Sequence, residues 1–208
     1  MNLRYYKKYF KRKTMLSFRQ RIVLLSKIFL ALIFANVFQF ANSQDYVWAP
    51  EFPVGSSFIE ISAQDQNGTV QTFKDLVGEK GMLFMLSRSF DWWPFCKDQL
   101  VQLTEISAQF EDMGVNITAM TYDSVEMLKS VEEDEGIEFT LLRDADITHV
   151  NALGILNEDY EPGSRAYGVP HPGLFIITPD GVIRAKFAEQ GFRARPDFDN
   201  VLEAAANL

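Results

Sequence analysis

Met82-Leu83-Phe84-Met85-Leu86 is an unbroken apolar run, and it constrains the fold more than any other stretch of the chain. It is too short for a buried helix and has no polar face. A strand covered on both sides needs such a run, the usual situation in a parallel sheet flanked by helices. A loop, Ser87 to Trp93, follows. Pro94 then opens a helix, because proline is tolerated at the first helical position. Leu100, Leu103, Ser107 and Phe110 recur at helical spacing behind it, and Gly114 ends it.

The other elements arrange themselves around this unit. Ser57–Ser62 and Thr69–Phe73 alternate about Asn67-Gly68 and predict a hairpin. A strand from Val115 to Tyr122 leads to a helix over Ser124–Glu135, with Asp123 or Ser124 as its cap. Phe139–Leu142 reads as a short strand and Asp144–Leu153 as a capped helix. Gly173–Ile177 and Val182–Phe187 flank the turn Thr178-Pro179-Asp180-Gly181, and Asp197 to Ala206 closes the chain as a helix. Alternating strands and helices followed by an antiparallel pair predict an α/β, thioredoxin-like fold. Its mixed central sheet is flanked by helices and carries an added N-terminal β-hairpin.

Charge divides the chain in two. Residues 1–43 hold nine Lys/Arg and no acid, so all 28 acidic residues lie beyond them. Arg19 and Arg21 precede an apolar run from Ile22 to Ala41, and Ala41-Asn42-Ser43 supplies small residues before Gln44. Basic segment, apolar run and small residues follow one another as in a secretory signal. Residues 1–43 are thus expected to be a signal peptide or N-terminal membrane anchor, and residues 44–208 the folded domain. The expected location is exported, periplasmic or secreted. In the alternative, residues 22–41 stay as an anchor, which is then the only membrane contact. The acidic remainder opposes nucleic acid and anionic lipid surfaces.

Whatever thiol chemistry the chain does must pass through Cys96, the only cysteine in the sequence. In Asp91-Trp92-Trp93-Pro94-Phe95-Cys96 it falls in the first helical turn, where unpaired backbone N–H groups and the helix dipole favour an anion. A thiolate there is a nucleophile. The competing reading is an inert cysteine packed as a small hydrophobe. Tyr167-Gly168-Val169-Pro170-His171-Pro172-Gly173 precedes an apolar strand, so its prolines mark a special turn, a place where a cis bond is expected. In a thioredoxin-like sheet this turn lies beside the helix start. His171 is therefore a candidate proton shuttle or substrate-orienting group, against the plain alternative of a surface histidine. His149, inside a predicted helix, reads as structural or solvated. One cysteine and two histidines this far apart have no metal-ligand spacing, and no cofactor is called for.

These residues carry a resemblance. From Ala49-Pro50-Glu51-Phe52 to the C-terminus the chain resembles the peroxiredoxin-like redoxins, the alkyl hydroperoxide reductase/thiol-specific antioxidant branch of the thioredoxin superfamily. The matching pieces are the Ala-Pro-x-Phe lead-in, Trp92-Trp93-Pro94-Phe95-Cys96 with Gln99-Leu100, Thr121-Tyr122-Asp123-Ser124, Leu141-Leu142-Arg143-Asp144, and Tyr167–Gly173 leading into Phe175–Gly181. The chain departs from the family pattern at named positions. Where relatives resemble Trp-Cys-Pro-x-Cys or Thr-x-x-Cys, Trp93 holds the position of the first cysteine or of the threonine. Where relatives carry an activating arginine at the strand, this chain has Pro172. Arg88 is the candidate substitute, with Arg165 and Arg193 behind it.

The resemblance implies an antioxidant thiol oxidoreductase of peroxiredoxin type, a one-cysteine thiol peroxidase with Cys96 as nucleophile. Its partners would be a hydroperoxide or thiol substrate and an external thiol or thioredoxin-like reductant, and a homo-oligomer is compatible with it. The alternative is a catalytically degenerate redoxin-fold binding protein whose loop of Trp92, Trp93, Pro94 and Phe95 anchors a partner. An isomerase turning over through an internal dithiol is disfavoured by the single cysteine.

Overall fold

The structure, a computed structural model, describes residues 47–191 and 193–208. The expected signal or anchor segment, residues 1–43 with the run 22–41, lies outside the described residues. Among the described residues no helix is long and apolar enough to cross a membrane.

The apolar run becomes β3 (Gly81–Leu86), with every residue buried. It pairs in parallel with β4 (Val115–Thr121) and antiparallel with β6 (Gly173–Ile177). With β1 (Ser62–Asp65), β2 (Val70–Thr72), β5 (Thr140–Arg143) and β7 (Ile183–Phe187) it forms a mixed sheet in the order β2-β1-β5-β4-β3-β6-β7. The β4–β5 pair is parallel; β1–β2, β1–β5 and β6–β7 are antiparallel.

Alternation along β3 then sorts the core. Leu83 and Met85 face a layer built by α2 (Pro94–Glu105), α3 (Ser107–Asp112), α4 (Val125–Glu135) and α6 (Phe198–Ala206), which contribute Leu100, Leu103, Phe110, Leu128 and Val201. Met82, Phe84 and Leu86 face Trp48, Leu76 of α1 (Phe73–Leu76) and Val150 of α5 (Thr148–Ala152). Period two in the strand and 3.6 in the helices thus produce two apolar layers about one sheet.

Three of the expected elements differ by more than one residue at an end or break internally. The first hairpin strand begins at Ser62, because Ser57 instead bridges Val182 and Phe58 N–H donates to the Gly181 carbonyl. Phe58 packs edge-on against Phe84 and Phe175. The expected helix from Pro94 to Gly114 breaks at Ile106 (φ −111°, ψ 4°). There Thr104 Oγ1 donates to the Leu100 carbonyl and Ser107 Oγ to that of Thr104, and such side-chain bonds compete with the helical ladder. The Asp144–Leu153 helix opens as a 3-10 turn with Asp146 and Ile147 in the left-handed region, and only Thr148–Ala152 is α-helical. Asp144 caps that later helix through the His149 and Val150 N–H groups. His149 is buried, with Nδ1 2.8 Å from Asp144 Oδ1, while its Nε2 accepts from Ser62 N–H.

Candidate active site

β3 delivers the chain to the loop Ser87–Trp93, and α2 leaves from it with Trp93 as N-cap and Pro94 in its first turn. Cys96 stands in that first turn and is fully buried. Two donors converge on its Sγ. One is the backbone N–H of Arg88 at 3.4 Å, and the other is Nη2 of Arg195 at 3.1 Å. Both stabilise the sulfur as an anion, the charged partner contributing more.

Arg88 is itself almost wholly buried. Its guanidinium lies 4.6 Å over the Trp93 ring, and Nη1 is 3.5 Å from the Tyr160 hydroxyl. Burial pulls the Arg88 pKa below its ordinary value; Tyr160 and Cys96 oppose that, and the charge of Arg195 adds to it. Stacking on an indole replaces part of the lost hydration, as cation–π contacts do best when desolvated. Trp93 thus forms the floor under a buried cation.

The outer wall of the loop is a second aromatic assembly. Trp92 meets Trp93 edge-on at 5.0 Å, and its Nε1 donates to the Tyr122 hydroxyl. Tyr122 in turn donates to the Arg165 carbonyl, and the Arg165 guanidinium sits 4.9 Å over the Trp92 ring while pairing with Asp91 at 2.8 Å. Arg165 therefore braces the loop at the surface, and Arg193 is exposed. Both tryptophans are partly buried, wedged between loop and core.

Asp123 anchors the same loop from below. Its carboxylate accepts from Ser89 Oγ at 2.7 Å, Phe90 N–H at 2.7 Å and Thr121 Oγ1 at 2.9 Å. Burial raises its pKa, and these three bonds lower it. The helix cap role open to Asp123 or Ser124 falls to Ser124, whose Oγ accepts from Met127 N–H.

The Pro170-His171-Pro172 turn lies beside the loop because Gly173, next in sequence, pairs with Leu86 at the end of β3. Its peptide bonds are all trans, against the expected cis bond. The turn is held by its backbone: His171 N–H donates to the Ile155 carbonyl, and Trp48 Nε1 donates to the His171 carbonyl. The His171 ring is half-buried, and its pKa is pushed below 6.5 by burial first and then by the positive charge of Arg88. It is therefore neutral at neutral pH. Pro172 is buried and supplies no charge.

The structure thus gathers Cys96, Arg88, His171, Trp92, Trp93, Pro94, Phe95 and Pro172 at one end of the sheet. Arg195, the charged group on the sulfur, escaped the sequence reading, as did the roles of Tyr160 and Asp123. The signal that points to Arg195 is weak: a basic residue fixed by Pro196 just ahead of a helix that Asp197 caps.

Known proteins are similar to this chain in sequence and fold. The chain is 30% identical over 133 residues to Peroxiredoxin 2 of Sulfuracidifex metallicus, a match covering 61% of this chain and 59% of that protein. It is 21% identical over 175 residues to a 1-Cys peroxiredoxin of Onchocerca volvulus, covering 77% and 74% respectively. The fold is similar to that of peroxidoxin BcpB from Mycobacterium tuberculosis, with a TM-score of 0.64, 17% identity, and 76% of this chain and 98% of the other covered. A peroxiredoxin-like protein from Aquifex aeolicus gives 0.64 at 20% identity, covering 75% and 87%. Residues 54–186, from just after the Ala-Pro-x-Phe lead-in into β7, match the AhpC/TSA family model, and the chain belongs to that family.

Proposed function

We propose that the chain is a one-cysteine thiol peroxidase, exported and working outside the cytoplasm. The observation that carries the reading is the convergence of the Arg195 guanidinium and the Arg88 N–H on Cys96 Sγ at the start of α2. The Cys96 thiolate attacks the outer oxygen of a hydroperoxide. An S–O bond forms as the O–O bond breaks, so sulfur loses two electrons and becomes a sulfenic acid. The peroxide leaves as an alkoxide that takes up a proton, giving an alcohol, or water from hydrogen peroxide. Arg195 and Arg88 stabilise the negative charge as it moves from sulfur to the leaving oxygen. His171, neutral at the edge of the site, orients the peroxide or relays its proton.

The sequence holds no second cysteine, so the sulfenic acid is reduced from outside. One external thiol displaces water to form a mixed disulfide. A second thiol, small or from a thioredoxin-like reductant, attacks that disulfide and regenerates Cys96. The basic and apolar character of residues 1–43 supports export.

The test is peroxide consumption by the full chain with dithiothreitol as reductant, beside Cys96→Ser. Turnover that disappears in Cys96→Ser, together with a peroxide-dependent gain of one oxygen on Cys96 by mass spectrometry, supports the reading. Equal peroxide loss in both proteins sinks it.

A further inference from the structure

We infer that Asp123, acting through Ser89, is a positioning residue for the Cys96 site. It sets the loop Ser87–Trp93 so that the Arg88 N–H aims at the sulfur and Trp93 lies beneath the Arg88 guanidinium. The inference deepens the peroxidase reading and rests on it for its functional meaning.

The argument is one of donors and acceptors. Ser89 Oγ has one proton and two lone pairs. The proton goes to Asp123 Oδ1, and the lone pairs receive the N–H groups of Asp91 at 3.1 Å and Trp92 at 3.4 Å. Asp123 Oδ2 takes the Phe90 N–H and the Thr121 hydroxyl. A single buried carboxylate therefore fixes, directly or through one hydroxyl, the N–H groups of Phe90, Asp91 and Trp92. Arg88 precedes these residues and Trp93 follows them. Asp123 itself is fixed by β4, since its own N–H donates to Thr121 Oγ1.

Only a carboxylate satisfies this arrangement. In Asp123→Asn one oxygen becomes an NH2 group. At the Oδ1 position it meets a hydroxyl whose lone pairs are already taken, and at the Oδ2 position it faces two donors. The loop must then shift. A buried carboxylate with no cation among these hydrogen-bond partners carries a desolvation cost, which the three bonds it accepts offset.

The test is the pH dependence of Cys96 alkylation by iodoacetamide in Asp123→Asn and Ser89→Ala, with folding checked by circular dichroism. The expected result is an alkylation midpoint moved to higher pH, with reaction at neutral pH about tenfold slower. The loss in steady-state turnover should appear in kcat/KM for peroxide, because the thiolate acts in the peroxide half of a cycle that an external thiol completes. The sign discriminates, because removing a negative charge alone would move the midpoint to lower pH. Asp144→Asn, which loses a buried capping carboxylate away from the site, should lower thermal stability and leave the midpoint in place. An unchanged or lowered midpoint in folded Asp123→Asn and Ser89→Ala would overturn the inference. Failure of the unaltered chain to consume peroxide would instead remove the peroxidase reading, while the alkylation midpoints still decide the role of Asp123.

Discussion

Arg195 Nη2 lies 3.1 Å from Cys96 Sγ across 99 positions of sequence. Pro172, just ahead of β6, supplies no charge to the sulfur, and the charged group that reaches it comes from the segment ahead of α6. Charge at a fixed point in space is what the chemistry requires, and the strand is only one way to supply it.

Arg195→Ala should therefore slow Cys96 alkylation and peroxide consumption at neutral pH by about 10- to 100-fold, since hydrogen bonds to charged groups are worth roughly 1.5–3 kcal/mol. Arg195→Lys should recover part of the rate, because it restores the charge without the planar fork. Stopped-flow peroxide reduction checks both. Alanine at wild-type rates would assign activation to Arg88 alone.

The His171 turn depends on how closely Trp48 lies on β6. A Cβ built on Gly173 would stand 2.5 Å from Trp48 Cζ2, and Trp48 stacks on Phe175 with ring centroids 4.6 Å apart. An indole is too rigid to yield. Gly173→Ala should cost about 1–3 kcal/mol through overpacking. It should also displace Trp48, breaking its bond to the His171 carbonyl. Urea unfolding gives the first number and a shift in tryptophan emission reports the second.

Tyr122 offers a pH test of the outer wall. Burial raises its phenol pKa from 10.0 to about 12, and the bond from Trp92 partly opposes the rise. The folded chain thus keeps this proton over a range where the unfolded chain has lost it. The group's contribution to stability is complete below pH 10 and declines as pH rises toward 12. Ultraviolet titration should show one phenol ionising late, absent in Tyr122→Phe. That variant should also lose less stability across the same range. A late phenol persisting in the variant would contradict the assignment.

Thr118 tests packing away from the site. It is fully buried on β4, and its hydroxyl has no hydrogen-bond partner among the described residues. Thr118→Val keeps the shape and removes the unsatisfied oxygen, so stability should rise by about 1 kcal/mol. Thermal denaturation checks it, and a lower midpoint would mean the hydroxyl has a partner after all.

Legibility in the sequence followed the range of the interactions. β3 and the start of α2 could be read because an apolar run and a proline at a helix start are local signals. The hairpin turn at Asn67-Gly68 was legible for the same reason. The alternation from Ser57 to Ser62 misled, because part of it is satisfied against the β6–β7 turn instead of the hairpin. The break at Ile106 comes from two hydroxyls competing with backbone groups, which spacing alone does not reveal. Cys96, His171 and Arg88 could be named as candidates because each adjoins a strong local element. Arg195 and Asp123 act through contacts whose partners lie 99 and 34 positions away, and neither position looks unusual in its own neighbourhood.

The place of Arg195 along the chain has a consequence in time. A polypeptide made from its N-terminus exposes Cys96 long before residues 193–208 exist, and α6 completes the layer over the sheet last. Until the segment ahead of α6 has been made and has folded back, the sulfur lacks the Arg195 guanidinium as a partner, so this contact is among the last that a growing chain can form in the described domain.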